Sequence, residues 1–215
     1  MDTKSYYEWY NQDDPSSTYH PEDEVTFTQR LAWFSRNTPP GSKTLDYGCG
    51  EGIVLAGLHE KGIASSESCG VDISENAVKK ASARFPSLRF STTHPDGTTA
   101  FPDESFDAIV ATEVIEHVFD TDGAFAEFHR LLRPSGLLLL SCPYHGFFKD
   151  LALLLTARMD RHYRDPYSGH IRYYSFRTLQ RVHQKHQFCL VKQGGVGRFP
   201  FLWNSMVTVA IKEPR

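Results

Sequence analysis

The chain has 215 residues, 40% hydrophobic and 23% charged, with a formal net charge of −3. That composition suits one globular domain with a sizeable core and argues against a bulk electrostatic grip on nucleic acid. The four cysteines, Cys49, Cys69, Cys142 and Cys189, include no C-x-x-C pair, which argues against a zinc ribbon or a disulfide scaffold and favours a reducing, cytoplasmic setting.

Met1 leads into Asp2, Thr3 and Lys4, so no signal peptide is expected, and no apolar run is long enough for a transmembrane segment. Tyr6, Tyr7, Trp9, Tyr10 and Tyr19 make residues 1–20 an aromatic arm expected to pack somewhere. A helix is predicted over 21–37, with Pro21 and acids in its first turn and Pro39-Pro40-Gly41 beyond its end. From there strands and helices alternate. Strands are read at 43–47, 68–73, 88–91, 106–111 and 137–142, with helices at 51–61, 74–85 (capped by Ser74) and 121–133, and a turn at 133–136. This order indicates an α/β, Rossmann-like three-layer sandwich around a mostly parallel sheet.

Beyond 142 the pattern changes. Phe147, Leu151, Leu154 and Leu155 share a helical face, which reads first as a peripheral helix packed on the sheet. A lid over a substrate pocket, or peripheral membrane contact through 147–158, are the alternatives. A helix at 175–186 and strands at 188–193 and 205–211, joined by the loop 194–200, complete a single domain in which 143–174 is an insertion shaping the acceptor pocket. Oligomeric state is not legible.

Chemistry concentrates first at Thr44-Leu45-Asp46-Tyr47-Gly48-Cys49-Gly50-Glu51-Gly52. A dinucleotide fingerprint requires G-x-G-x-x-G; here Gly48 and Gly50 fit, but Ile53 occupies the third position and the extra glycine comes early. Asp46 also places negative charge where a pyrophosphate would lie. That charge is wrong for phosphate and right for a cationic ligand.

The pattern Asp46-x-Gly48-Cys49-Gly50-x-Gly52 resembles motif I of class I S-adenosylmethionine-dependent methyltransferases, in particular the small-molecule, ubiquinone-pathway-like group. Asp72, Phe101 to Asp107, Glu113 to Val118 and Leu131 to Leu137 resemble the later segments of the same family, so the likeness is close over about 40–142. It implies a seven-stranded sheet in the order 3-2-1-4-5-7-6 with the last strand antiparallel. It also implies S-adenosylmethionine as cofactor. Tyr47, Gly48 and Gly50 would border its amino-acid end, with Asp46 near its amino group or sulfonium. Asp72 would take the ribose hydroxyls, Ile73 the adenine face and Asp96 the adenine amino group, while the backbone at Thr112 and Glu113 would line the methionine moiety.

Glu113, Glu116 and His117 fall at i, i+3 and i+4, so in a helical turn they would share one face. Three readings stay open: a braced turn, His117 as general base, or a divalent-metal site completed by His145 or His170, as in ubiquinone-pathway and small-RNA 2′-O-methyltransferases. The stretch Ser168-Gly169-His170 to Ser175 reads either as a helix-entry turn capped by Ser175 or, by resemblance, as a segment that faces the acceptor in small-molecule methyltransferases; His117 and His170 are the candidate catalytic residues, with no metal assigned. The activity implied is O-methylation of a small-molecule acceptor by in-line displacement. A dehydrogenase is disfavoured by Asp46 and Ile53, and a silent cofactor-binding domain is the remaining alternative.

Overall fold

A computed structural model describes residues 4, 5, 8, 21–163 and 169–213. The arm's aromatic residues named above, and Ser168, lie outside the described residues. Seven strands form one sheet in the order β3-β2-β1-β4-β5-β7-β6. They are β1 (Thr44–Tyr47), β2 (Cys69–Asp72), β3 (Arg89–Thr92), β4 (Phe106–Thr112), β5 (Leu132–Pro143), β6 (Phe188–Val196) and β7 (Ser205–Lys212). Neighbours from β3 through β5 pair in parallel, and β7 runs antiparallel to both β5 and β6. Helix α1 spans Pro21–Asn37, α2 Ile53–Glu60, α3 Glu75–Arg84, α4 Thr121–Leu131, α5 Phe147–Leu155, α6 Met159–Tyr163 and α7 Phe176–Lys185.

The two-residue period of the central strands divides the core into two layers. Ile109 and Ala111 of β4, with Leu138 and Leu140 of β5, join Phe125, Phe128 and Leu131 of α4 on one face. Ala108, Val110 and Leu139 point the other way, against Phe34 of α1 and Leu55 and Leu58 of α2. Each fully buried Leu, Ile or Phe stabilises the fold by about 1.5–3 kcal/mol before entropy is counted. Helix starts follow the local chemistry. Ser74 accepts a hydrogen bond from Ala77 N at 3.2 Å, Asp120 accepts from Gly123 N at 2.9 Å, and Ser175 with Thr178 forms a reciprocal capping box.

Two elements differ from the sequence reading. The turn at 133–136 lies inside β5: the register passes from Phe106 opposite Leu132 to Ala108 opposite Leu137, with Ser135 at φ 63°. The strand therefore begins five residues early and bulges outward. The reading of α5 as a helix packed on the sheet by its apolar face is also corrected. Phe147, Phe148, Leu151, Leu154 and Leu155 are exposed, and the one buried side chain of the helix is Lys149.

Candidate active site

The carboxyl ends of β2, β1 and β4 lie side by side, and the strand order reverses direction between β1 and β4. Ligands bind at such a point in open α/β sheets. The loop leaving β1 is held by Gly48 N and Cys49 N donating to Val71 O at 2.7 and 2.9 Å, and by Gly50 N donating to Asp72 Oδ2 at 2.9 Å. Gly48 has φ 72°, and a Cβ there would lie 2.5 Å from Val114 Cγ2, so the loop and the segment after β4 need glycine to approach each other. Gly50 has φ 51° and faces open space. A ligand can therefore reach the backbone at that point.

Two carboxylates frame this loop. Asp46 is fully buried, accepts from Leu55 N at 3.1 Å, and is pushed up to about 7, chiefly by burial, with the charge of Asp72 adding to the rise. Asp72 accepts from Gly50 N and, through Oδ1, from Ser74 N at 2.9 Å. Burial raises its pKa, against the lowering effect of those amides. Each carboxylate oxygen of Asp72 retains a second lone pair able to accept from a ligand hydroxyl. Ile73 follows, half-buried, and Thr112 at the end of β4 carries a buried hydroxyl with no hydrogen-bond partner among the described residues.

After β4 the chain makes a tight turn that is not helical. Glu113 sits at φ 52°, unusual for a non-glycine residue and compatible with a functional constraint. The turn brings Glu116, His117 and His170 together, with one ligand-type atom from each lying within 4.8 Å of the others. Glu116 is 1% exposed, and neither of its oxygens has a hydrogen-bond partner among the described residues. Burial, then the nearby charge of Glu113, hold its carboxyl well above the ordinary range. His117 Nδ1 lies 3.0 Å from Gly169 O, a contact that requires a proton on Nδ1; in the neutral ring Nε2 is then the acceptor nitrogen, and it stands 3.9 Å from Glu116 Oε1. Burial lowers the pKa of His117, favouring the neutral ring. The His170 ring centroid is 4.8 Å from that of His117.

Residues 21–193 match a family model for a methyltransferase domain. The chain belongs to the class I S-adenosylmethionine-dependent methyltransferase family. It is 34% identical over 134 residues to a ubiquinone biosynthesis O-methyltransferase of Thiobacillus denitrificans, covering 60% of this chain and 56% of that one. It is 32% identical over 132 residues to a ribosomal protein L11 methyltransferase of Ralstonia pickettii, covering 60% and 41%. This chain thus spans about half the length of the curated relatives it matches. A solved S-adenosylmethionine-dependent methyltransferase from Aquifex aeolicus shares the fold over 99% of both chains, at TM-score 0.67 and 15% identity.

In this methyltransferase the remaining sequence candidates separate. Tyr47 lies in the core, edge-on to Phe128, and its hydroxyl donates to Gly97 O at 2.6 Å, so its side chain braces the loop after β3. Asp96 is exposed and spends one oxygen on its own turn, accepting from Thr98 N at 3.0 Å and Thr98 Oγ1 at 2.7 Å. Glu113 does not join Glu116 and His117. Because the turn is not helical, its carboxylate instead accepts from Ser141 Oγ at 2.8 Å and pairs with Arg30 at 3.3 Å. His145 is likewise directed elsewhere, with Nδ1 at 2.9 Å from the Tyr163 hydroxyl, which in turn donates to Asp150. Of the metal set weighed from sequence, Glu116, His117 and His170 come together, and Glu113 and His145 do not.

Sequence reasoning missed three groups. Arg30 of α1 reaches both Glu113 and, at 3.0 Å, Ser205 Oγ. Lys149 is buried and donates to Tyr144 O at 2.8 Å. Glu8 accepts from Glu75 N at 2.5 Å and Asn76 N at 3.3 Å, which caps α3 three residues beyond Asp72. The first and last depend on contacts across more than 60 residues, with no local pattern to announce them. Among the described residues no helix is long and apolar enough to cross a membrane.

Proposed function

We propose that this methyltransferase transfers the methyl group of S-adenosylmethionine to a hydroxyl oxygen of a small molecule held beside Glu116, His117 and His170. The observation that carries this reading is the buried carboxylate of Glu116, without a hydrogen-bond partner among the described residues, 3.9 Å from His117 Nε2. The similarity to a ubiquinone biosynthesis O-methyltransferase supports oxygen as the accepting atom.

The cofactor supplies an electrophilic methyl on a cationic sulfur. The chain supplies the rest. Asp72, fixed by Gly50 N and Ser74 N, accepts from the ribose hydroxyls, and Ile73 covers the adenine. The bare backbone at Gly50 allows close approach, and Asp46 contributes negative potential beneath the bound cation. Thr112 Oγ1 and the strained backbone at Glu113 line the methionine end. His117, its Nδ1 proton anchored on Gly169 O, takes the hydroxyl proton at Nε2 as the oxygen–methyl bond forms and the sulfur–methyl bond breaks. The products are the methyl ether and S-adenosylhomocysteine. Alignment of oxygen, methyl and sulfur supplies much of the barrier reduction.

The same geometry favours a second reading. One carboxylate and two imidazoles within 4.8 Å of one another form a donor set for a divalent first-row ion, with the Nδ1–carbonyl contact of His117 orienting the ring as metal ligands require. Such an ion would hold an acceptor hydroxyl and lower its pKa. A panel of phenols, catechols, sugars and lipid-linked alcohols, assayed for S-adenosylhomocysteine with and without chelator, tests both readings. Turnover that survives chelation supports His117 as base, turnover restored only by added Mn²⁺, Zn²⁺ or Mg²⁺ supports the ion, and methylation confined to amines or proteins contradicts both.

A further inference from the structure

Helix α5 is inside out. Phe147, Phe148, Leu151, Leu154 and Leu155, at i, i+1, i+4, i+7 and i+8, form one apolar stripe, and that stripe faces solvent, with Phe147 73% and Leu155 77% exposed. Its one buried side chain is the cation Lys149, turned inward to Tyr144 O. The stripe continues onto the loop between β6 and β7. Phe148 and Phe201 approach to 5.7 Å between ring centroids, Phe201 rests on Trp203 at 5.5 Å, and Phe199 of the same loop is 79% exposed. Other exposed apolar residues, such as Val25 and Val191, stand on separate elements. An apolar face of this extent, assembled from two elements, marks a contact surface.

The charges beside it decide between occupants. Exposed Arg158 follows the C-terminal end of α5, and exposed Arg198 precedes Phe199, close enough to Lys149 to disfavour its charge. The acids on α5 and the adjoining helix α6 are Asp150, engaged by the Tyr163 hydroxyl, and Asp160. Anionic headgroups complement the two arginines. The helix is about 14 Å long, too short to span a bilayer and of a length to lie in its interface. We infer that the face formed by α5 and the β6–β7 loop docks on a lipid bilayer bearing anionic headgroups. This inference does not depend on the identity of the methyl acceptor.

Sedimentation of the full chain with phosphatidylcholine vesicles, and with vesicles containing about one third phosphatidylglycerol, tests it. The wild type is expected to partition at least tenfold more strongly onto the anionic vesicles. A Leu154→Asp/Leu155→Asp double variant and Phe199→Asp should each lower that partition at least tenfold, and Arg198→Glu should remove the preference for anionic lipid. Affinity for S-adenosylmethionine within about twofold of wild type shows that each variant is folded. Three results overturn the proposal: no sedimentation with either vesicle, variants that sediment like the wild type, or a concentration-dependent dimer by ultracentrifugation that the same substitutions abolish.

Discussion

Replacing Asp46 with Asn tests the electrostatics of the cofactor loop. The side-chain oxygen can still accept from Leu55 N, but the residue no longer ionises. In the folded wild type the carboxyl holds its proton to about pH 7, against an ordinary value of 3.8. The sign follows from proton counting. Between those two values the folded state binds more protons than the unfolded chain, so stability is fully present below 3.8 and is lost as pH rises through about 7. At 1.36 kcal/mol per pKa unit the full loss is roughly 4 kcal/mol, of which about 1.4 kcal/mol falls between pH 6 and 8. For a chain of this size that last part corresponds to about 3–6 °C in Tm. Calorimetric scans of both proteins without ligand, at pH 6 and pH 8, isolate the effect, because every other group titrates in both. The wild type should lose about 3–6 °C more than Asp46→Asn over that interval. A difference between the two proteins that is the same at both pH values refutes the reasoning.

Further outcomes follow from the same geometry. Asp72→Ala removes the carboxylate that holds Gly50 N and should raise the Kd for S-adenosylmethionine at least tenfold by titration calorimetry, since a hydrogen bond to a charged group contributes about 1.5–3 kcal/mol. Gly48→Ala drives a methyl to 2.5 Å from Val114 at φ 72°, and both cofactor affinity and Tm should fall. Glu8→Ala leaves Glu75 N and Asn76 N at the start of α3 without their acceptor and should cost about 1 kcal/mol in urea unfolding.

What was legible in the sequence was local or periodic. Ser74 after Asp72 announced both a strand end and a helix cap, because a strand-closing acid followed by a capping hydroxyl has few other uses. Apolar runs at 106–111 and 137–142 gave the two central strands, and glycines at 48, 50 and 52 marked the loop whose left-handed backbone the structure shows. Of the polar residues weighed from sequence, the structure brings Glu116, His117 and His170 together. Glu113 was misplaced because its spacing from Glu116 and His117 assumes a helical turn, whereas the positive φ at Glu113 directs its side chain to Arg30 and Ser141. The outward face of α5 was likewise hidden, since an amphipathic period states that one side is apolar without stating what covers it.

The most direct test of the proposed chemistry is S-adenosylhomocysteine release by wild type and by His117→Ala on whichever hydroxyl acceptor the panel identifies, with cofactor affinity measured in parallel. The variant should bind S-adenosylmethionine within about threefold of wild type while kcat falls at least a hundredfold, the range for loss of a positioned acid–base group. Full turnover by His117→Ala, or wild-type binding of the cofactor with no methylation of any hydroxyl, would contradict the account.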